Sequence, residues 1–138
     1  MLYVDFMETG APECPFLRIY GTDQSALQRL QQFFEDLGSG LRSRLDLHDH
    51  CSLEFQADLK LSCMVTQGAR GVTRLPGTLW FTWSLDQSEW NDLSELIAPL
   101  LGSGQTEQYQ WLAEPTLTSR DAYSGIPVLL SVSNAGVW

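Results

Sequence analysis

Lysine is almost missing: Lys60 is the only one in 138 residues, and Lys and Arg together number eight against seventeen Asp and Glu. The formal charge of −9 sets the chain against nucleic acid and anionic membrane, both of which would repel it. No long apolar run is present either. The longest, Leu96 to Leu101, falls far short of the roughly 20 residues that a membrane-spanning helix needs. The opening MLYVDFMETG lacks the basic and apolar regions of a secretion signal, so a cytoplasmic location is expected. Cys14, Cys51 and Cys63 make no CxxC pair and leave an odd count, which argues against a disulfide framework and for free thiols in a reducing compartment.

Local catalytic signatures are also missing. There is no GxSxG elbow and no Walker loop, and GSGLRS lacks the last glycine of the dinucleotide fingerprint. Lys60 stands in the middle of a strand-like run, a poor place for Schiff-base chemistry. These absences exclude enzymes recognisable by a short motif, and no cofactor is expected. Enzymes with dispersed residues stay open, with Asp121 and Tyr123 in a long C-terminal loop as the place to look.

Composition is that of one globular domain spanning 1–138, with 43% hydrophobic residues and five Trp. Leu2 to Met7 and Phe16 to Tyr20 read as strands. A helix follows, capped by Thr22 or Asp23, with Leu27, Leu30, Phe34 and Leu37 at helical spacing and Gly38 as its stop. From Leu53 to Val65 every odd position is apolar and most even ones are polar, the period of a strand with one wet face. That run exceeds the usual strand length, so a bend, a bulge or an early end near Asp58 is expected. Leu79 to Leu85 is a further strand. Asp86 with Glu89 has the form of a capping box ahead of Trp90, Leu93, Ile97 and Leu100. Tyr109 to Leu112 and Val128 to Val132 complete the strands.

Two segments echo each other. Each runs strand, DQS, amphipathic helix, GSG, and the helix stripes align at a constant offset. The physical reading is a duplicated β-α-β-β unit, about 1–69 and 70–138, with two helices covering one face of a shared sheet. Coincidence competes with it, since DQS starts helices well and GSG stops them. The fold class expected is therefore α+β, built mainly on an antiparallel sheet.

Three groups of residues are candidates for function. The first is an acidic stripe. Between Leu75 and Ser119 there is no Lys or Arg, while Asp86, Glu89, Asp92, Glu95, Glu107 and Glu114 all fall there. Glu89, Asp92 and Glu95 step by three along one side of the second helix, away from its apolar stripe. The second is Trp80, which shares the parity of Thr82 and Ser84 and so faces the wet side of its strand, whereas Trp83 faces the core. An exposed Trp makes a good interface anchor. The third is Asp46, His48 and His50, which lie on one face if the segment is extended and then offer two imidazoles to a metal. The bland alternatives are a solvated acidic face, a Trp covered by a loop, and a polar loop entering a strand.

A small, acidic, leaderless, tryptophan-rich α+β chain resembles the bacterial immunity proteins of polymorphic toxin systems, a likeness of general character over the whole chain. The resemblance implies occlusion of a toxin's active site by acidic and aromatic residues. On this reading the partner is a protein, a basic toxin or effector domain, with a second copy of the chain as the other candidate. A metal or small-ligand module centred on Asp46 to His50 is the alternative.

Overall fold

The computed structural model describes residues 1–8, 15–67, 71–101, 108–113 and 125–132. The fold is α+β. In order come β1 (Leu2–Met7), β2 (Phe16–Gly21), α1 (Gln24–Gly38), β3 (Arg44–Asp46), β4 (Leu53–Phe55), β5 (Lys60–Val65), β6 (Gly71–Arg74), β7 (Trp80–Leu85), α2 (Gln87–Ile97), β8 (Gln108–Ala113) and β9 (Val128–Val132).

The long alternating run breaks where expected. β4 ends at Phe55 and β5 begins at Lys60, and between them Asp58 takes a positive φ of 66°. Asp tolerates this left-handed conformation better than most residues with a Cβ. The halves on either side join different sheets.

Both helices start as their sequences require. The Asp23 carboxylate accepts from the Ala26 amide, and the Asp86 carboxylate accepts from the Glu89 amide while Glu89 reaches back to the Asp86 amide. These bonds satisfy donors that a helix N-terminus leaves without partners. Pro99 does not interrupt α2, because the helix ends at Ile97 and a single 3-10 turn, Ala98–Leu100, carries the proline.

Antiparallel pairs are the majority, four of seven, but the pairing departs from the single shared sheet. Two sheets form, in the orders β4-β1-β2-β9-β8 and β3-β5-β7-β6. β1/β2, β3/β5, β6/β7 and β8/β9 pair antiparallel, but β1/β4, β2/β9 and β5/β7 pair parallel. Each antiparallel pair is a local hairpin or near neighbour in sequence. Of the parallel pairs β1/β4 and β2/β9 are long-range and β5/β7 skips only β6, and period-two patterning carries no information about any of them.

The topology has an internal equivalence. Hairpin β1-β2, helix α1 and strands β3 and β5 match hairpin β6-β7, helix α2 and strands β8 and β9, with β4 as an addition. Under this match the order β1-β2-β9-β8 becomes β6-β7-β5-β3, which is the other sheet. The repeating pattern is thus ββαββ rather than β-α-β-β. Each sheet takes one hairpin from the first half and one from the second, so the halves interlock. The helices meet along the same relation: the Gln31 amide donates to the Ser94 carbonyl at 3.1 Å, two residues 63 apart, the spacing that also separates Asp23 from Asp86 and Leu27 from Trp90.

One buried cluster joins both sheets and both helices. At its centre Phe34, Trp83 and Trp90 pack ring against ring at 5.1–5.6 Å between centroids. The Trp90 indole N–H, which would be costly to bury without a partner, donates to the Met64 carbonyl at 2.9 Å. Phe6 of β1 meets Phe81 of β7 at 4.9 Å, tying one sheet to the other. With Leu61, Cys63, Phe81 and Trp83 turned inward, the opposite face of the four-stranded sheet is left to solvent.

Candidate functional site

That solvent face is concave. It forms a cleft of about 540 Å³ whose lining includes Arg44, Asp46, His48, Lys60, Arg74 and Trp80. Strand register brings these residues together. Asp46 of β3 lies opposite Ser62 of β5, Ser62 opposite Thr82 of β7, and Thr82 opposite Thr73 of β6. A row of small polar side chains therefore crosses the sheet as the cleft floor. One step along, Lys60 stands beside Trp80, with its ammonium 5.1 Å from the ring centroid.

Trp80 is the exposed aromatic that its parity indicates, with 50% of its surface in solvent, and Trp83 is fully buried. The surroundings of Trp80 are cationic, not acidic. It opens β7 whereas Asp86 follows the end of that six-residue strand, a separation of about 20 Å at the rise of extended chain. Trp80 and the acidic residues of α2 thus lie on separate surfaces.

Asp46, His48 and His50 do not share one face. β3 ends at Asp46, and a 3-10 turn, Leu47–Asp49, replaces the extended backbone that the alternation assumed. The turn brings Asp49 beside His48, at 3.8 Å from Nε2 to Oδ1, and carries His50 away to stack on Phe33 at 4.2 Å. Asp46, His48 and Asp49 hold ligand-type atoms within 4.8 Å of one another. The rest of the geometry is poor for a cation. The Asp46 carboxylate already accepts from the Ser62 hydroxyl at 2.7 Å and from Arg44 at 3.3 Å, and a guanidinium beside it opposes a metal. His48 Nδ1 accepts from the Leu61 amide at 3.2 Å, and its Nε2 edge faces the Asp49 carboxylate at 3.8 Å.

The same contacts set the ionisation. The Ser62 hydrogen bond first, then Arg44, hold the Asp46 carboxyl below its ordinary range. Burial, with Arg42 nearby, lowers the His50 imidazole, which keeps it neutral at physiological pH. Burial pushes the Cys63 thiol far up, so it packs as an unreactive core residue, while Cys51 is exposed.

The predicted acidic stripe divides in two. Asp86 and Glu89 are engaged in the capping box of α2. Asp92 and Glu95 project into solvent, and neither has a cation within ion-pair distance among the described residues. Leu96, 37% exposed, lies beside them. Three other carboxylates hold an arginine, Asp5 with Arg18, Asp36 with Arg42 and Asp46 with Arg44, while Glu35, Glu54 and Asp58 are exposed without a cation like Asp92 and Glu95 but stand on separate elements. Glu107, Glu114, Asp121, Tyr123 and Cys14 lie outside the described residues.

The cleft itself was not legible as a site. Its residues come from four strands and the turns beside them; parity marks Lys60, Ser62, Trp80 and Thr82 as outward, and Asp46 and His48 stand out as candidates, but nothing local joins them into one depression. No family model matches the chain, and no curated protein or solved structure matches it. No helix among the described residues is long and apolar enough to cross a membrane.

Proposed function

We propose that the protein is a binding protein that docks on a basic protein partner through the outer face of α2 and inhibits that partner by covering it. The observation that carries this reading is the exposed pair Asp92 and Glu95, left without cations while Asp5, Asp36 and Asp46 each hold an arginine. Uncompensated like charges on one helix face repel each other slightly and contribute nothing to the fold. They are well suited to attract a cationic surface, and the net charge of −9 extends that attraction beyond contact range. Leu96 supplies an apolar contact within the patch. Neutralisation of a toxin or effector domain is the activity that fits this description, and it is the role of the immunity proteins that the sequence resembles.

The test is a photo-reactive amino acid at Leu96, used in cells that carry the native gene neighbourhood. The expected product is one predominant adduct with a protein of high isoelectric point. The adduct is lost on Asp92→Lys with Glu95→Lys, and the captured protein loses its activity on stoichiometric addition of the unmodified chain. An adduct that persists in the charge-reversed protein, or a partner that keeps full activity when bound, overturns the reading.

A further inference from the structure

We propose that the cleft on the solvent face of the four-stranded sheet binds a small organic anion carrying a planar unsaturated ring. Charge is the first argument. Three of the eight basic residues, Arg44, Lys60 and Arg74, line this one depression, in a chain whose acidic residues outnumber its basic ones about two to one. Asp46 offsets only Arg44. Neither Lys60 nor Arg74 has a carboxylate within 4.0 Å among the described residues. The local balance is therefore positive inside a protein that is strongly negative, and the folded chain gains only the Arg44–Asp46 ion pair from that placement.

Preorganisation is the second. Arg74 borders the cleft from the inward side of β6, opposite Phe81, where its Nε–H donates to the Thr78 carbonyl at 2.7 Å and its guanidinium lies 5.0 Å from the Phe6 ring centroid. Holding the head group in place before a ligand arrives lowers the ordering cost of binding. The hydroxyls of Thr73 and Thr82 along the floor add hydrogen-bond donors between the cationic ends, while that of Ser62 is held by Asp46.

Shape supplies the ring. Trp80 lines the cleft and has half its surface in solvent, with the Lys60 ammonium 5.1 Å from its ring centroid. A planar ligand stacked on the indole would hold an acidic substituent within reach of Lys60, and that lysine would exchange a cation–π contact for a charge-assisted hydrogen bond. The volume lies within the roughly 300–1,000 Å³ typical of small-molecule sites. This cleft and the outer face of α2 are different surfaces, so neither proposal depends on the other.

The probes are phenyl phosphate, which has ring and anion, benzyl alcohol, which has the ring alone, and inorganic phosphate, which has the anion alone. Each is titrated into the full chain while the indole N–H signals are followed by NMR, with Trp80 assigned by its loss in Trp80→Phe. Phenyl phosphate is expected to shift the Trp80 signal saturably while the buried Trp83 and Trp90 signals stay in place. The other two probes should bind more weakly by about tenfold or more, and Lys60→Gln should weaken phenyl phosphate by about tenfold with Lys60→Arg recovering most of the loss. Lys60 is exposed, so both variants are expected to fold, and unchanged Trp83 and Trp90 signals verify it. No saturable shift, equal affinity for benzyl alcohol or for inorganic phosphate, or indifference to Lys60→Gln each overturns the proposal.

Discussion

Gly38 closes α1 against α2, and replacing it with alanine probes the helix contact on which the interlocked halves depend. A Cβ added there would stand 2.8 Å from the Asn91 amide nitrogen and 3.0 Å from its Cα and Cβ. Ordinary van der Waals contact begins well beyond these distances, so the helices must separate by roughly half an ångström or more. Two of the three atoms are backbone, so a rotamer change at Asn91 cannot relieve the clash. Overpacking of this kind costs about 1–3 kcal/mol, while alanine in place of helical glycine returns at most about 1 kcal/mol. The expected net loss is about 1–2 kcal/mol, read as a lowered denaturation midpoint with an unchanged slope in urea. Asn91→Ala added to Gly38→Ala should restore little. A Gly38→Ala protein as stable as the parent, or more so, would refute the packing argument.

Two further predictions concern stability. Asp86→Ala removes the side-chain acceptor for the Glu89 amide and should cost about 1 kcal/mol by urea denaturation, with loss of helical signal at the α2 N-terminus. His50 has a folded-state pKa below its unfolded value of about 6.5, so the unfolded chain binds the proton more readily. Stability should therefore fall as pH drops below about 6.5, until the folded imidazole also protonates; His50→Gln should flatten that part of the profile, and an identical slope in the variant would contradict the assignment.

Much of the local structure was legible because it depends on near neighbours. The helix caps, the inward Trp83, the outward Trp80 and the break at Asp58 follow from spacing and parity alone. What could not be read was long-range. The parallel junctions β2/β9 and β5/β7 divide the strands between two sheets, and no local pattern encodes them. The short β6, Gly71–Arg74, has too few alternating residues to announce itself beside the turn before it. His50 was misplaced because three residues of 3-10 turn change the period within a segment that reads as extended. The cationic cleft is illegible for a different reason: even-numbered polar residues on β5 and β7 become neighbours only once the parallel register is known.

The account of function depends on Asp92 and Glu95 acting across a distance, and association kinetics test that most directly. With the partner captured at Leu96, association rates are measured across a salt series for the parent, for Asp92→Asn with Glu95→Gln, and for Asp92→Lys with Glu95→Lys. The account predicts a parent rate that falls as salt rises, a slower neutral variant, and a charge-reversed variant slower by about tenfold at low salt that speeds up or stays level as salt is added. Equal rates and equal salt dependence in all three proteins would contradict it.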